Sequence, residues 1–465
     1  MSYFSYLGLL LLVISCSIYF FTNKLVQTFN EERVILEAKL AIKREFFDYA
    51  TSSLRGTFYP GVENYTRYAV ARLEMLPMPF VAAKPLIPEF GPVINDVTAF
   101  RYPIAIPSCP RDSATSASNQ RSAFIAVISA PGNAKKRSAI RQTWTHHIQT
   151  VLDKGLLTMV RYGFILGQPS GNDFTQTRIE DESKNFGDII QIEMSDYYRN
   201  LPLKVAGLLN WLNKNCANLD FVFKVDDDVY VNMHNLAHFV QSHHDYNRSV
   251  FGIGYPDGNI PDRDGKWSIT YEEWPWNQYP HYLLGGAVLI HGSSIFPLLA
   301  ASQTIPMIPF DDLYFFGMCT EKAAIKTHFS MSLITVFNNN PASVITACEL
   351  RELIARLVHR EYDDEFEEIM NLSHGIADKF YSNGTQCLLI EPNGLISNVD
   401  YTELVEFNFN NYEVLSSPVS GWCELCEKLN DPQQKPKVYK DMTDWWYHKD
   451  IPCLYGYDYL DQFIN

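Results

Sequence analysis

Three consecutive carboxylates, Asp226, Asp227 and Asp228, are the residues of this chain that most directly indicate chemistry. They follow an apolar run, Phe-Val-Phe at residues 221–223, which is typical of a buried strand. Three anions crowded at the end of a core strand oppose folding, because like charges raise one another's pKa. A bound divalent cation removes that repulsion, and oxygen ligands suit a hard ion such as Mn²⁺ or Mg²⁺, which also binds phosphates. The triplet therefore predicts a metal–diphosphate site where a strand ends.

Two other interpretations of the triplet have to be weighed. A solvated acidic turn is the commoner reading of an isolated run of aspartates. An EF-hand loop is the second, and it requires Gly at the sixth position and Glu at the twelfth. Counted from Asp226, those positions hold Val231 and Ala237, so the EF-hand pattern is absent.

The elements around the triplet alternate between strand and helix patterns from residue 121 onward. Strands are predicted at residues 124–129, 159–166, 188–192 and 221–225, and helices at 137–148 and 201–213. Alternating units of this kind predict an α/β fold with a mostly parallel sheet and helices on both faces. Ligands in such sheets bind at the carboxyl ends of the strands, which is where the triplet falls.

Composition and the N-terminus indicate the surroundings of this domain. The chain has 465 residues and a net charge of −15 without a basic stripe, which argues against a nucleic-acid partner. Residues 1–23 carry no charged side chain and are mostly apolar, which predicts an uncleaved transmembrane signal anchor. A cleaved signal peptide is the alternative, but the basic n-region and a clear small-x-small cleavage site are missing.

Sequons and cysteines indicate that the bulk of the chain lies on the lumenal side. N-x-Ser/Thr sequons predict glycosylation at Asn64, Asn247, Asn371 and Asn383. Eight cysteines follow the anchor, three before residue 320 and five after residue 347, and an oxidising compartment allows them to pair. If all eight pair, at least one disulfide joins the two regions. Cys423, Cys426, His448 and Cys453 have zinc-like spacing, although disulfides are the preferred interpretation.

The chain thus divides into an anchor (1–23), a stem (24–120), a catalytic domain (121–347) and a cysteine-containing extension (348–465) without a motif. Within the stem, residues 31–47 have a helical pattern. Residues 57–120 are rich in Pro and Ser, which is typical of a semi-extended tether. The alternative is an irregular segment that packs on the domain.

Six sequence blocks occur in an order that resembles the β-1,3-galactosyltransferase family, which includes β-1,3-N-acetylglucosaminyltransferases. They are R-x-A-I-R-x-T-W at 137–144, E-S with F-G-D-I-I-Q at 182–191, D-x-Y-x-N-L-x-x-K at 196–204, K-x-D-D-D-x-Y-x-N at 224–232, Y-P-x-Y with G-G at 279–286, and D-D-L-Y with Gly at 311–317. The chain departs from the family pattern in three places: Pro202 replaces the usual Thr, Asp311 stands where Glu is more common, and one extra residue precedes Gly317.

The resemblance implies a GT-A-like fold and inverting transfer of galactose or N-acetylglucosamine from a UDP-sugar with Mn²⁺ (or Mg²⁺). It also implies a glycan acceptor on protein or lipid, a β-1,3 linkage, and a single-pass type II protein of the Golgi membrane with its catalytic part in the lumen. Asp228 and Asp226 would then bind the metal, and Asp227 would contact the ribose or a metal-bound water.

Two arginines are candidates for binding the nucleotide. Arg137 and Arg141 stand one helical turn apart, so they share a helix face, and a guanidinium group suits a phosphate or stacks on a base. The alternative is an ion-pair face without a ligand.

The remaining candidates concern the transfer step. Inversion needs a base for the acceptor hydroxyl, and Asp312 matches the base-bearing block, with Asp311 orienting it or binding the acceptor. Either acid could instead cap the helix that follows. Gly285 and Gly286 would let backbone approach a sugar. Aromatic side chains nearby, which core packing explains equally well, would stack on sugar rings: Trp274, Trp276 and Tyr282.

These features predict an enzyme, with two alternatives. One is a non-catalytic descendant of the family that binds glycans or assists a partner enzyme, and the complete triplet together with Asp312 argues against it. The other is a secreted structural protein that binds metal and has no affinity for nucleotides.

Overall fold

The computed structural model describes residues 52–73, 83–110, 121–171, 173–216, 218–329, 334–335, 353–358, 363–383, 387–390 and 396–399, with Lys24 and Asp48. The predicted anchor, the predicted helix at 31–47 and most of the extension lie outside these residues. Among the helices that are described, none combines the length and the apolar character needed to cross a bilayer. The chain forms two compact units, residues 1–79 with 260–279 and residues 80–259 with 280–465.

The second unit is built on a seven-stranded sheet. Its strands are β1 (Ser122–Ile128), β2 (Met159–Gln168), β3 (Ile189–Ser195), β4 (Phe221–Asp226), β6 (Ser249–Tyr255), β7 (Tyr282–His291) and β8 (Lys326–Phe329). Their order is β3-β2-β1-β4-β7-β6-β8. β7 is antiparallel to both of its neighbours, β4 and β6, and every other pair in the sheet is parallel. The predicted α/β fold with a mostly parallel sheet is confirmed.

Helices connect these strands and cover both faces of the sheet. They are α2 (Ala134–Gln142), α3 (His147–Asp153), α4 (Asp173–Phe186), α5 (Leu201–Asn215), α6 (Met233–Ser242) and α7 (Ile295–Thr304). Two further helices are α1 (Val62–Leu73), which belongs to the first unit, and α8 (Asp363–Asn383), which follows the sheet in the chain. Successive side chains of β1 point to opposite faces. Ile125 therefore joins a core cluster with residues of α2, α3 and α6, whereas Phe124 contacts Trp211 of α5.

The helix predicted at residues 137–148 is divided in two. α2 stops at Gln142 because Thr143 has a non-helical backbone (φ −121°, ψ −113°), and a 3₁₀ turn at Trp144–His146 leads into α3. The Thr143 hydroxyl donates a hydrogen bond to the Ala139 carbonyl oxygen, and the Trp144 ring is fully buried. The break between the two helices therefore places the Trp144 ring in the core.

Residues 83–110 of the predicted stem pack on the second unit. Cys109 forms a disulfide with Cys216 at the end of α5. The Tyr102 hydroxyl donates to the Gly207 carbonyl, and the Asn95 amide donates to the carbonyl oxygens of Ser302 and Ile305. The structure favours the packed interpretation of this segment over the tether. In the described part of the chain, Cys319 is a buried free thiol. The disulfide predicted between the two regions assumed that all eight cysteines pair, and this condition is not met.

Part of the predicted extension also belongs to the second unit. A small sheet contains β5 (Val229–Val231), β10 (Ala355–Leu357) and β9 (Ile334–Thr335), with β10 antiparallel to β5. A separate hairpin joins β11 (Cys387–Ile390) and β12 (Ile396–Val399). α8 buries one stripe of side chains, at Phe366, Met370, Ser373 and Ala377. β10 is thus joined to β5, the strand that follows the acidic triplet.

The extra residue before Gly317 lies in a widened helical turn. Helical residues Asp311–Leu313 continue into a π-helix at Tyr314–Cys319 and then into Thr320–Lys322. A π-helical turn holds one residue more than an α-helical turn needs, and such turns are frequent at functional sites. Gly317 still contacts β7: a Cβ there would lie 3.1 Å from the Tyr282 Cβ and 3.2 Å from the His281 carbonyl oxygen. The π-helix absorbs the extra residue without displacing this contact.

The predicted glycosylation sites lie on the surface where their side chains are described. Asn64 is exposed in α1, Asn371 is exposed in α8, and Asn247 is exposed in the loop before β6. Asn383 ends α8, and its side chain lies outside the described residues. Exposure agrees with glycosylation at the first three positions, which stays a prediction.

Gly292, directly after β7, lies very close to the backbone of the residues that precede β4. A methyl group at Gly292 would overlap the carbonyl oxygen of Leu219, and the Gly292 N–H already donates to the Asp220 carbonyl oxygen. We expect Gly292→Ala to lower the free energy of unfolding by about 3 kcal/mol. A Cβ at Gly375 of α8 meets no atom within 4 Å, so Gly375→Ala should raise it by about 0.5–1 kcal/mol. Urea unfolding measures both, and equal midpoints for the two variants would contradict this packing.

Candidate active site

The acidic triplet forms the turn between β4 and β5. Asp226 ends β4 beside Ile128, the last residue of β1. The side chains differ in exposure: Asp226 is 42% exposed, Asp228 18% and Asp227 8%. Asp226 and Asp228 can therefore reach a ligand from solvent, whereas Asp227 points into the protein.

Asp227 fixes the turn to the end of β1 and to α2. Its carboxylate accepts hydrogen bonds from the Ser129 hydroxyl and the Asn133 amide, both at 2.8 Å, and from Lys136 Nζ at 3.3 Å. Its N–H donates to the Ile128 carbonyl oxygen. The predicted ribose contact is not tested, but the carboxylate is already engaged by three donors, which gives it a positioning role.

Lys224 is the buried cation behind the triplet. Its Nζ lies 3.2 Å from Asp226 Oδ1 and 3.0 Å from Asp311 Oδ2, and it donates to the Gly285 carbonyl oxygen. Burial disfavours the charged form, but the two carboxylates outweigh it and hold the pKa of Lys224 above its ordinary value. This ammonium group therefore joins β4, β7 and the helix that begins at Asp311.

Negative charge remains in surplus at the turn despite Lys224. Desolvation by the surrounding protein, followed by the charges of Asp311 and Asp228, raises the pKa of Asp226 above its ordinary value, although Lys224 opposes the shift and 42% of the side chain stays exposed. Such a surplus, on oxygen ligands open to solvent, suits a hard divalent cation. Asp226 and Asp228 fit the predicted metal site as its ligand oxygens.

Asp311 and Asp312 take different positions at the start of their helix. Asp311 is buried against Lys224, whereas Asp312 is half-buried and accepts the Leu313 N–H at 2.7 Å. Burial and the neighbouring Asp311 charge raise the pKa of Asp312 to about 7. A Cβ at Gly285 would lie 3.2 Å from both Asp311 Oδ2 and Asp312 Cβ. Glycine is needed here so that β7 can approach these acids, and Asp312 is the better placed of the two as a base.

The two candidate arginines are held inside the protein rather than at the turn. Arg137 is fully buried and binds Glu182 of α4 through its Nε and a terminal nitrogen, at 2.8 and 2.7 Å. Its other terminal nitrogen donates to the Ser129 hydroxyl and the Ala130 carbonyl. Arg141 binds Asp188 through two hydrogen bonds and Glu182 through one. All three nitrogens of Arg137 and two of the three of Arg141 are engaged in these contacts, and nucleotide binding by the two arginines stays a prediction.

The pKa of Glu182, the carboxylate shared by the two arginines, is lowered, as pairing with cations requires. Burial alone would raise the pKa of Glu182, but hydrogen bonds and charges from Arg137 and Arg141 outweigh it and leave the pKa lowered. Glu182 therefore stays ionised and holds α2 to α4. This is an ion-pair face, as the alternative interpretation had it, but a buried one.

A second buried lysine ties together three strand ends. Lys204 Nζ donates to the Ser129 carbonyl oxygen at 2.9 Å and lies 2.7 Å from Asp196 Oδ2. The same carboxylate accepts the Gly167 N–H at 2.7 Å. Sequence reasoning assigned no role to Lys204, Lys224, Glu182 or Asp196. The available signal was that a charged residue inside an apolar strand or helix requires a buried partner of opposite charge.

The predicted sugar-pocket residues are divided between the two units. Trp276 lies in the first unit, where it is buried and packs against Tyr59, Tyr65, Tyr68 and Trp274. In the second unit Tyr282 is buried, with its ring 5.3 Å from that of Tyr255. A Cβ at Gly286 would lie 4.0 Å from Asp226 Oδ2, which leaves open space beside the triplet. Stacking of these aromatic rings on a sugar stays a prediction.

Part of this chain is similar in sequence to known proteins. The galactosyltransferase family model matches residues 135–330. Human lactosylceramide 1,3-N-acetyl-β-D-glucosaminyltransferase is 32% identical over 43% of this chain and 53% of its own length. Human acetylgalactosaminyl-O-glycosyl-glycoprotein β-1,3-N-acetylglucosaminyltransferase is 32% identical over 51% of this chain and 62% of its own length. The chain therefore spans little more than half the length of these curated relatives.

Among solved structures, a galactosyltransferase, LgtC, in complex with donor and acceptor sugar analogs is similar with a TM-score of 0.28 and 11% identity. The match covers 54% of this chain and 95% of that protein. A likeness at this level is too distant to bear on the site.

Lys224 can be tested by removing its charge. In Lys224→Met, Asp226 and Asp311 face each other without a cation, and loss of one partner from a buried ion pair costs about 3–5 kcal/mol of folding free energy. The matched control is Lys184→Met, whose side chain is 72% exposed, and it should change stability by less than about 0.5 kcal/mol. Chemical unfolding of both variants gives the comparison. Equal stability would show that Lys224 does not hold the two carboxylates together.

Proposed function

We propose that this chain, which carries a domain of the galactosyltransferase family at residues 135–330, is a metal-dependent inverting hexosyltransferase of the GT-A class. It transfers galactose or N-acetylglucosamine from a UDP-sugar to a glycan acceptor and forms a β-1,3 linkage. The observation that carries the proposal is the ion pairing of Lys224 with Asp226 and Asp311. It holds the turn that carries Asp226 and Asp228 against the start of the helix that carries half-buried Asp312.

Donor binding is the task of the β4–β5 turn. Asp226 and Asp228 would hold the cation, which supplies stabilisation of the negative charge that develops on the leaving diphosphate. Asp227 keeps the turn in place through Ser129 and Asn133. Lys136, 3.3 Å from Asp227 and 3.8 Å from Asp228, limits the repulsion within the triplet.

Transfer requires a base on the acceptor side. The acceptor hydroxyl oxygen forms a bond to C1 of the sugar while the bond from C1 to the diphosphate oxygen breaks, so the configuration inverts and UDP leaves. The hydroxyl proton passes to the Asp312 carboxylate. A carboxyl whose pKa is raised to about 7 is a stronger base than an ordinary aspartate and remains ionised at neutral pH in a large fraction of molecules.

The acceptor is proposed as a glycan on protein or lipid. The two human relatives are named for lactosylceramide and for an O-glycosyl-glycoprotein, so both classes of acceptor belong in a screen. We also propose a single-pass type II protein of the Golgi membrane, anchored by residues 1–23. The disulfide between Cys109 and Cys216 supports an oxidising compartment for residues 80–259.

The metal ligands can be tested by substitution. We expect Asp228→Asn to lower Mn²⁺-dependent release of UDP from UDP-galactose or UDP-N-acetylglucosamine by about 100-fold or more, since one charged ligand is lost. Asp245→Asn is the matched control, because Asp245 is an exposed surface acid, and it should retain full activity. Turnover by Asp228→Asn equal to that of the control would refute the metal role. Glycan binding without turnover by the parent protein would favour the non-catalytic alternative.

The base can be tested through pH dependence. Asp312 must be ionised to accept a proton, so kcat/KM should rise as the pH passes about 7 and should fall about tenfold per pH unit well below it. Asp312→Asn cannot accept the proton, so we expect low activity without this acid limb. An unchanged pH profile in Asp312→Asn would assign the base to another residue.

A further inference from the structure

A second cluster of metal-ligand side chains lies outside the acidic triplet, between α3 and α8. His147 opens α3, and His374 and Asp378 stand one turn apart on α8. His147 Nε2 lies 2.7 Å from Asp378 Oδ1, and His374 Nε2 lies 3.7 Å from Asp378 Oδ2. One ligand atom from each residue falls within 4.8 Å of the others.

The spacing on α8 follows from helix geometry. Residues at i and i+4 share a face, so His374 and Asp378 project together toward His147 on the neighbouring element. Two imidazoles and a carboxylate form a ligand set that zinc uses, with water completing a tetrahedron. Asp378 is 57% exposed, which provides an entry path from solvent and room for that water.

Hydrogen bonding around the cluster is incomplete. Among the described residues, the Nδ1 atom of His374 and the hydroxyl of Tyr230 are buried without a hydrogen-bond partner, and the Asp378 charge acts on Tyr230. Buried polar atoms without partners are uncommon in folded proteins and call for an explanation.

We propose that His147, His374 and Asp378 bind one transition-metal ion of the Zn²⁺ type, which fastens α8 to α3. Ligand atoms on one zinc ion lie no more than about 4 Å apart, so small side-chain rotations from the present 4.8 Å separation complete the site. The Asp378 oxygen that now meets His147 turns toward the ion. No residue of this site belongs to the donor-binding turn.

The site has a consequence for the acidic triplet. Phe366, on the buried stripe of α8, packs under Lys136, with Nζ 5.5 Å from the ring centroid. Lys136 in turn contacts Asp227 and Asp228. An ion that fastens α8 therefore fixes the position of a cation beside the triplet, without taking part in the transfer.

The test is zinc content of the full chain, purified in detergent and dialysed against Zn²⁺ with excess Mg²⁺ present to occupy the acidic triplet. We expect about one tightly bound Zn²⁺ per chain by elemental analysis. His374→Ala and Asp378→Asn should bind it roughly 100-fold more weakly or not at all. His244→Ala, a histidine outside the cluster, and Asp228→Asn should retain it. Co²⁺ in place of Zn²⁺ should give visible absorption bands that the two cluster variants lack.

The exposed position of Asp378 keeps the test informative, because Asp378→Asn should fold even if the His374 variant does not. Stoichiometric zinc in the parent, lost in Asp378→Asn and retained in both controls, supports the site. A parent chain without bound zinc overturns the proposal, as do zinc contents that are equal in the parent and in Asp378→Asn. Loss of zinc in His244→Ala also overturns it, because the ion would then lie elsewhere.

Discussion

The buried ammonium group of Lys224 is the interaction on which the arrangement of the candidate active site depends. An ammonium group cannot be buried alone, and here Asp226, Asp311 and the Gly285 carbonyl surround it. One charge thereby sets the distance between β4, which carries the acidic triplet, and the helix that begins with Asp311. Because Asp312 follows Asp311 directly, the same contact positions the proposed base relative to the proposed metal ligands.

Other buried cations near the carboxyl edge of the sheet are also paired with carboxylates. Arg137 of α2 pairs with Glu182 of α4, and Lys204 of α5 pairs with Asp196, which follows β3. Buried ion pairs add little net stability, since desolvation offsets much of their attraction, but a pair with one partner missing is costly. These pairs therefore penalise any misplacement of the elements that carry them. Three cations of the family blocks, Arg137, Arg141 and Lys204, are held by carboxylates in this way.

Segments distant in sequence complete the site from outside the sheet. β10 pairs with β5 directly after the triplet, and the Val358 N–H donates to the Asp228 carbonyl oxygen. α8 places Phe366 beneath Lys136. Residues 83–110 are bound at Cys109 to the end of α5, which carries Lys204. The unit that contains the candidate active site therefore extends beyond residues 121–347, in which its motifs lie.

Local apolar patterns and short motifs in the sequence predict β1 to β4, α5, the mostly parallel sheet and the position of the triplet at a strand end. They do not predict β6, β7 and β8, which complete the sheet. The sequence also marked the extra residue before Gly317, without showing that a π-helix absorbs it. Only the tertiary structure decided which charges face solvent and which face each other. Arg137 has the residue type of a phosphate ligand, yet its donors are used by Glu182, 45 residues away. Partner choice between buried charges depends on contacts between distant segments, which a local pattern does not contain.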